Sequence, residues 1–126
     1  MEQQYLMDSN AIIDFFNGKL NPAGKNFVAS CDPRISVITQ IELLSNKNIP
    51  STEWEQLQTF IQIATVYTFD DSIVEKTIML RQQYRIKIPD AVIAATALLH
   101  ELSLITKNVL DFKNIAGLIV INPHSL

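Results

Sequence analysis

Four acidic residues occur where short strands are predicted to end or helices to begin, at Asp8, Glu42, Asp90 and Asp111. Mg²⁺ prefers oxygen ligands and is usually bound through a few carboxylates together with substrate phosphates. An ion held in this way polarises a phosphoryl oxygen and lowers the pKa of a bound water, which allows in-line attack on a phosphodiester. The four acids therefore indicate metal-assisted phosphodiester hydrolysis if the fold brings them together.

Each acid also has an ordinary structural explanation. Asp8 could cap the helix that follows it, because aspartate is a preferred N-cap residue. Glu42 could be a solvated charge on a helix, while Asp90 and Asp111 stand near helix starts, where the macrodipole favours negative charge. The metal interpretation thus depends on the convergence of all four residues.

Other chemistries find less support in the sequence. Its two histidines, His100 and His124, have no paired ligand spacing, and Cys31 is the single cysteine, so a zinc site is disfavoured and an internal disulfide is excluded. There is no glycine-rich phosphate loop and no nucleophile elbow. The net charge of −3 argues against broad binding of nucleic acid through many cations, so a polyanionic substrate would have to be held locally.

The elements that would position the acids follow from the hydrophobic pattern. Short apolar runs alternate with helical patterns, which predicts an α/β fold with a parallel sheet covered on both faces. The predicted strands cover residues 5–7, 34–38, 64–67, 103–106 and 118–121. With 126 residues, 48% of them hydrophobic, we expect a single domain over 1–126. Ligands of such sheets bind outside the carboxyl ends of the strands, where the acids are predicted to lie.

Helix starts are predicted from capping patterns. Thr52 with Glu55, and Ser72 with Glu75, fit capping boxes, and Pro89 suits the first turn of a helix. The apolar residues of these helices are expected in the core, among them Trp54, Phe60, Ile78 and Met79. There is no basic start followed by an apolar run at the N-terminus, so we expect a cytoplasmic protein without a membrane segment.

At the acidic positions the sequence resembles the PIN domain, in the branch of the VapC-type toxins of bacterial toxin–antitoxin pairs. The resemblance covers nearly the whole chain, and it depends on the ordered set of four acids at this chain length. The matching segments are Asp8-Ser9-Asn10, 36–39 leading to Glu42, Pro89-Asp90 opening 91–98, and 106–108 followed by Asp111-Phe112.

The resemblance implies a three-layer α/β/α sandwich with a central parallel sheet of about five strands. It also implies an endoribonuclease that uses Mg²⁺ or Mn²⁺ and is neutralised by a cognate antitoxin. The metal ligands carried over are Asp8, Glu42, Asp90 and Asp111, and the residues that organise or line the site are Asn10, Thr39, Thr106 and Asn108. The sequence departs from the family at Ser9, where threonine is usual, and at Lys107, where arginine is frequent. These departures affect fine geometry and remove no ligand.

Basic and apolar residues bear on the partners. Lys107 is a candidate for phosphate contact because its neighbours belong to the proposed site. Arg81, Arg85 and Lys87 precede Asp90 and either steer RNA or form an ordinary solvated surface. A mean hydropathy of +0.15 in so small a chain, together with the family resemblance, predicts a homodimer through helices carrying Trp54, Phe60 and Met79.

Two alternatives remain open at this stage. A receiver-like phosphoacceptor domain is also a parallel α/β fold with an acidic Mg²⁺ site, but it needs two adjacent acids after its first strand, where Asp8 stands alone. Asp70 and Asp71 could supply its acceptor. The second alternative is a catalytically inactive PIN fold that only binds RNA, and the presence of all four acids argues against it.

Overall fold

The computed structural model describes residues 2–126, which contain five short parallel strands and seven α-helices. The strands are β1 (Tyr5–Met7), β2 (Arg34–Ser36), β3 (Thr65–Tyr67), β4 (Ser103–Ile105) and β5 (Val120–Ile121). The helices are α1 (Ser9–Phe16), α2 (Pro22–Ser30), α3 (Val37–Leu44), α4 (Ser51–Ile63), α5 (Asp71–Gln83), α6 (Ile88–Leu99) and α7 (Val109–Phe112), and a 3-10 helix follows at Pro123–Ser125. No helix within residues 2–126 has the length and apolar character needed to cross a membrane.

The strands pair in parallel, as the sequence predicts. β4 lies between β1 and β5, with Tyr5 opposite Ser103 and Leu104 opposite Val120, while β2 pairs with β3. β1 and β2 run beside each other, yet the described part of the chain has no hydrogen-bonded ladder between them. The predicted parallel sheet is therefore present as a three-stranded and a two-stranded piece set side by side.

Two hydrophobic cores lie on opposite faces of the strands. Successive residues of a strand point to opposite faces, and accordingly Leu6 and Leu104 belong to one core while Met7 and Ile105 belong to the other. The first core is closed by α5 and α6, and the second by α1, α2, α3 and α4. Helices on both faces of the strands confirm the predicted three-layer α/β/α arrangement.

Several element boundaries differ from the sequence prediction. β2 ends at Ser36 instead of residue 38, because the Ser36 hydroxyl accepts a hydrogen bond from Ile38 N at 3.1 Å and starts α3. The predicted capping boxes are wrong. Pro50 stands at the N-cap of α4, and α5 is capped by Asp70, whose carboxylate accepts from Ile73 N at 2.8 Å. The prediction for Pro89, in the first turn of α6, is confirmed.

One face of α5 is exposed where the sequence predicts core. The helix buries Ile73, Thr77 and Leu80, which recur at the spacing of one helix face. Ile78 and Met79 fall outside that stripe and are 52% and 47% exposed, so the prediction that they lie in the core is wrong. Trp54 and Phe60 of α4 are only partly buried.

The last residues pack against α2. Asn21 caps this helix by accepting from Gly24 N at 2.7 Å, and its amide donates to the Leu126 carbonyl at 3.1 Å. Gly24 is buried directly against the Pro123 backbone. A side chain at position 24 would occupy the space that the tail fills.

We expect Gly24→Ala to destabilise the protein, because the added Cβ would overlap the Pro123 carbonyl oxygen and force the tail to shift. The free energy of unfolding, measured by chemical denaturation, should fall by about 1–3 kcal/mol. Lys25→Ala, at the exposed neighbouring position, should change it by less than about 0.5 kcal/mol. Equal stability of the two variants would contradict the close packing of the tail.

Candidate active site

Asp8 is the residue on which the site is built. It directly follows β1, is only 4% exposed, and forms the N-cap of α1. One carboxylate oxygen accepts from Ser9 N at 2.8 Å. The other accepts from the Asn10 amide at 3.1 Å and from the Thr106 hydroxyl at 2.9 Å. The capping role is thus real, and it coexists with a buried carboxylate at the carboxyl end of β1.

The segment after β4 is joined to the same network. Thr106 is fully buried, and its hydroxyl oxygen accepts from the Asn10 amide at 3.0 Å and from Asn108 N at 3.1 Å. The side-chain oxygen of Asn10 accepts from Lys107 N at 3.0 Å. The structure therefore brings Asn10, Thr106, Lys107 and Asn108 together around Asp8.

The other three acids approach Asp8 from separate helices. Glu42 lies on α3, Asp90 in the first turn of α6, and Asp111 on α7. The Ser9 hydroxyl lies 3.4 Å from a Glu42 carboxylate oxygen, which links α3 to the start of α1.

The electrostatics show that the four carboxylates influence one another. Burial raises the pKa of Asp8 above its usual value, and Asp111 adds to the rise against the hydrogen bonds that the carboxylate accepts. Partial desolvation, and after it the charge of Asp8, raise the pKa values of Glu42 and Asp90 as well. Asp111 acts on Asp90, and Asp90 in turn acts on Glu42. The acids predicted from the sequence thus form one repelling set.

This donor set suits a hard divalent cation. The side chains offer oxygen ligands, and a bound cation would offset the like-charge repulsion that, after desolvation, contributes to the raised pKa values of Asp8, Glu42 and Asp90. As they stand, no three His, Cys, Asp or Glu side chains in residues 2–126 are grouped closely enough to hold an ion. The ligands would be Asp8, Glu42, Asp90 and Asp111.

Thr39 does not join the network around Asp8. It is fully buried in α3, three residues before Glu42, and within residues 2–126 its hydroxyl has no hydrogen-bond partner. Its assignment as a residue that organises or lines the site remains a prediction.

Asp14 was not predicted from the sequence, and it anchors the edge of the site. This buried carboxylate of α1 lies 2.7 Å from His124 Nε2 and 3.8 Å from Lys107 Nζ. The charge of Lys107 is therefore partnered by Asp14, although its backbone belongs to the network around Asp8. An acid within the apolar run Ile12-Ile13-Asp14-Phe15-Phe16 was the available signal, because a charge on a buried helix face requires a partner.

A family model described as the PIN domain matches residues 5–118. Comparison with curated proteins gave no match. Among solved structures, a chain of a toxin–antitoxin complex from Klebsiella pneumoniae is 34% identical, with 95% of this chain and 98% of that chain covered and a TM-score of 0.76.

Two further structures share the fold at lower identity. FitAcB from Neisseria gonorrhoeae is 24% identical, covers 98% of this chain and 100% of its own, and has a TM-score of 0.83. VapBC2 from Rickettsia felis, bound to a DNA fragment from their promoter, is 22% identical, with coverages of 95% and 98% and a TM-score of 0.79. The similarity extends over nearly the full length of each chain.

The raised pKa of Asp90 predicts how the metal-free protein responds to pH. A carboxyl whose folded pKa exceeds its unfolded value stabilises the fold below the unfolded pKa, here about 3.8, and loses that contribution as pH rises through the folded value. Asp90→Asn should therefore be more stable than the wild type at pH 7 in EDTA, and the difference should shrink towards pH 4.

The measurement is chemical denaturation at both pH values. Glu53→Gln is the matched control, because Glu53 is an exposed first-turn acid of α4 whose loss should leave stability unchanged or slightly lower. If Asp90→Asn is less stable than the wild type at pH 7, Asp90 acts only through the helix dipole.

Proposed function

Because this chain belongs to the PIN-domain family, as its residues predict, we propose that it is a metal-dependent endoribonuclease and the toxin of a toxin–antitoxin pair. The observation that carries the proposal is the convergence of four acids at one edge of the strands: the buried Asp8 is held by Thr106, Ser9 lies 3.4 Å from Glu42, and Asp90 and Asp111 line one cleft. The like charges of this set add to the raised pKa values of Asp8, Glu42 and Asp90. A cluster of this kind raises the electrostatic energy of the metal-free fold, which is expected of a functional site.

In this proposal Asp8, Glu42, Asp90 and Asp111 hold Mg²⁺ or Mn²⁺. When bound, the ion supplies a polarised phosphoryl oxygen and a water of lowered pKa for attack on the phosphodiester. Thr106 and Asn10 fix the Asp8 carboxylate, because both donate to the same oxygen. With Ser9 N on the other oxygen, three of about four acceptor sites of this carboxylate are used, and one is left for a cation.

The burial of Asp8 contributes to the same chemistry. A carboxylate with 4% exposure interacts more strongly with a cation than a solvated one does, because it is screened less by water. The backbone of Lys107 is held by Asn10, so the segment that borders the metal site is positioned before substrate binds. Preorganised groups require no rearrangement during the reaction.

The partners follow from the same proposal. A chain of a toxin–antitoxin complex is 34% identical to this one, and we therefore propose that this protein binds a cognate antitoxin. We also propose that it acts in the cytoplasm and forms one domain over 1–126. A receiver-like phosphoacceptor does not suit a PIN-family chain. Of its two candidate acceptors, Asp70 is engaged in capping α5 and Asp71 lies in the first turn of that helix.

We expect purified protein to cut single-stranded RNA in Mg²⁺ or Mn²⁺ and to lose this activity in EDTA. Asp90→Asn and Asp111→Asn should each slow cleavage by more than about 100-fold, since even outer-shell changes at metal sites cost about 10–100-fold. These variants test the site more cleanly than Asp8→Asn, which also alters a helix cap.

Glu53→Gln serves again as the control and should cut at the wild-type rate. Wild-type rates for both site variants would mean that the acids are structural. RNA binding by a wild type that cuts no RNA would favour the inactive binding module.

We also propose a homodimer, in which α5 contributes the exposed residues Ile78 and Met79. Light scattering at micromolar concentration should give twice the chain mass of 14.2 kDa. Ile78→Glu should shift the protein to the monomer mass, because a charge would be buried in the interface. Ile119→Glu, at a 59% exposed position outside α4 and α5, is the control. A monomer mass for the wild type would remove this proposal.

A further inference from the structure

A cleft of about 320 Å³ opens beside two of the four acids. One part of its wall comes from the segment between α5 and α6, and another from the segment at and after α7. The polar residues that line it are Tyr84, Arg85, Lys87, Asp90, Asp111 and Asn114. The cleft is therefore continuous with the proposed metal site, and it adds positive charge to one side of it.

Hydrogen bonds hold the walls of this cleft in place. The Tyr84 hydroxyl accepts from Ala116 N at 3.1 Å, which ties the segment after α5 to the segment after α7. Arg81 Nε donates to the Ile86 carbonyl at 3.1 Å and fixes the same segment from α5. Tyr84 and Ile86 also pack against the core. The walls of the cleft are thus already ordered, so a ligand would bind without the entropic cost of fixing them.

The two cations of the cleft form no direct ion pair within the described residues, although the charge of Lys87 acts on Asp90 and lowers its pKa against the effects that raise it. Both ion pairs found in residues 2–126 involve Asp14, so Arg85 and Lys87 are exposed and unpaired in the described chain. Lys107, another cation near the acids, is engaged with Asp14. Arg85 and Lys87 are therefore the cations of this cleft that remain available to an anionic ligand.

Lys87 also occupies a position that does not favour it. It is the N-cap of α6, where a side-chain oxygen would accept a backbone N–H and where the helix dipole disfavours positive charge. An ammonium group cannot accept a backbone N–H, because it has donors only. Its positive charge is also unfavourable beside the helix N-terminus. A residue that breaks a local rule in this way is expected at functional sites.

We propose that this cleft binds the nucleotide adjoining the scissile bond of single-stranded RNA, with Arg85 and Lys87 contacting the phosphates on either side of it. The inference rests on the proposed nuclease function. RNA carries a phosphate at every nucleotide, so a strand whose scissile phosphate lies at the four acids must place a neighbouring phosphate close by. The volume is near the lower limit of about 300 Å³ for small-molecule sites, which suits one nucleotide.

Binding can be measured without cleavage. The probe is a fluorescein-labelled single-stranded RNA of eight nucleotides in EDTA, and the readout is anisotropy over a range of salt concentrations. R85A/K87A should weaken binding about tenfold, the loss expected when charged hydrogen bonds are removed. The salt dependence of log Kd should fall by about 1.4, because each phosphate contact with a single strand contributes about 0.7.

Two double variants make the test specific. K19A/K25A removes two exposed lysines outside the cleft, and it should bind RNA within twofold of the wild type. R85K/K87R keeps both charges and should retain binding. If R85A/K87A and K19A/K25A weaken binding equally, the effect is one of net charge and the cleft is not the site.

Lys87→Ser separates function from stability. Serine is a preferred N-cap residue, so the denaturation midpoint should rise while RNA binding weakens. A higher midpoint with unchanged RNA binding would overturn the role of Lys87.

Cross-linking locates the bound strand. RNA containing 4-thiouridine should cross-link within 84–90 and 110–115, and cross-links confined to other segments would overturn the proposal.

Binding in EDTA does not depend on catalysis, so the proposed nuclease activity and the proposed RNA-binding cleft can fail separately. A wild type that cuts RNA while R85A/K87A binds normally leaves the nuclease standing and removes the cleft. A wild type that binds RNA through Arg85 and Lys87 without cutting it retains the cleft and removes the nuclease.

Discussion

The buried carboxylate of Asp8 sets the arrangement of the whole edge at which it lies. A buried charge is tolerated only when its oxygens are hydrogen-bonded. Its donors come from the start of α1 and from Thr106 after β4, so these two parts of the chain must meet. The parallel pairing of β1 with β4 satisfies that requirement, and Asp8 N donates to the Ile105 carbonyl at 2.9 Å. The sheet register and the polar network are therefore consequences of one another.

Acidic and basic side chains lie close together at the proposed site. Four carboxylates repel one another on one side, while on the other Arg85 and Lys87 form no direct ion pair in residues 2–126, although the charge of Lys87 acts on Asp90. A fold optimised for stability alone would bring these carboxylates and cations into direct ion pairs. Their separation is consistent with a site whose missing partners are a cation and a polyanion, each recognised by the side of opposite charge.

The residues that could be predicted from the sequence are those whose signal is local. Asp8 and Pro89 are examples, since a strand end and a helix start are visible within a few residues. The Asp14–His124 contact joins residues 110 positions apart, so the apolar run around Asp14 indicates that a partner is needed but no local pattern identifies it.

Competition between neighbouring residues explains other errors. Asp70 takes the cap of α5 although Ser72 also fits one, because the carboxylate is placed to accept from Ile73 N. Ile78 and Met79 are exposed because α5 has more apolar residues than its one buried stripe can accommodate.

The distance along the chain between contacting residues, which hides these contacts from local sequence patterns, also governs how the chain folds. Thr106 and Asp8 are 98 positions apart, so closing this loop is entropically expensive and such contacts form slowly. The helices and their local caps can form before it closes. The four acids can therefore converge only once this loop has closed, and local helices alone do not assemble the donor set.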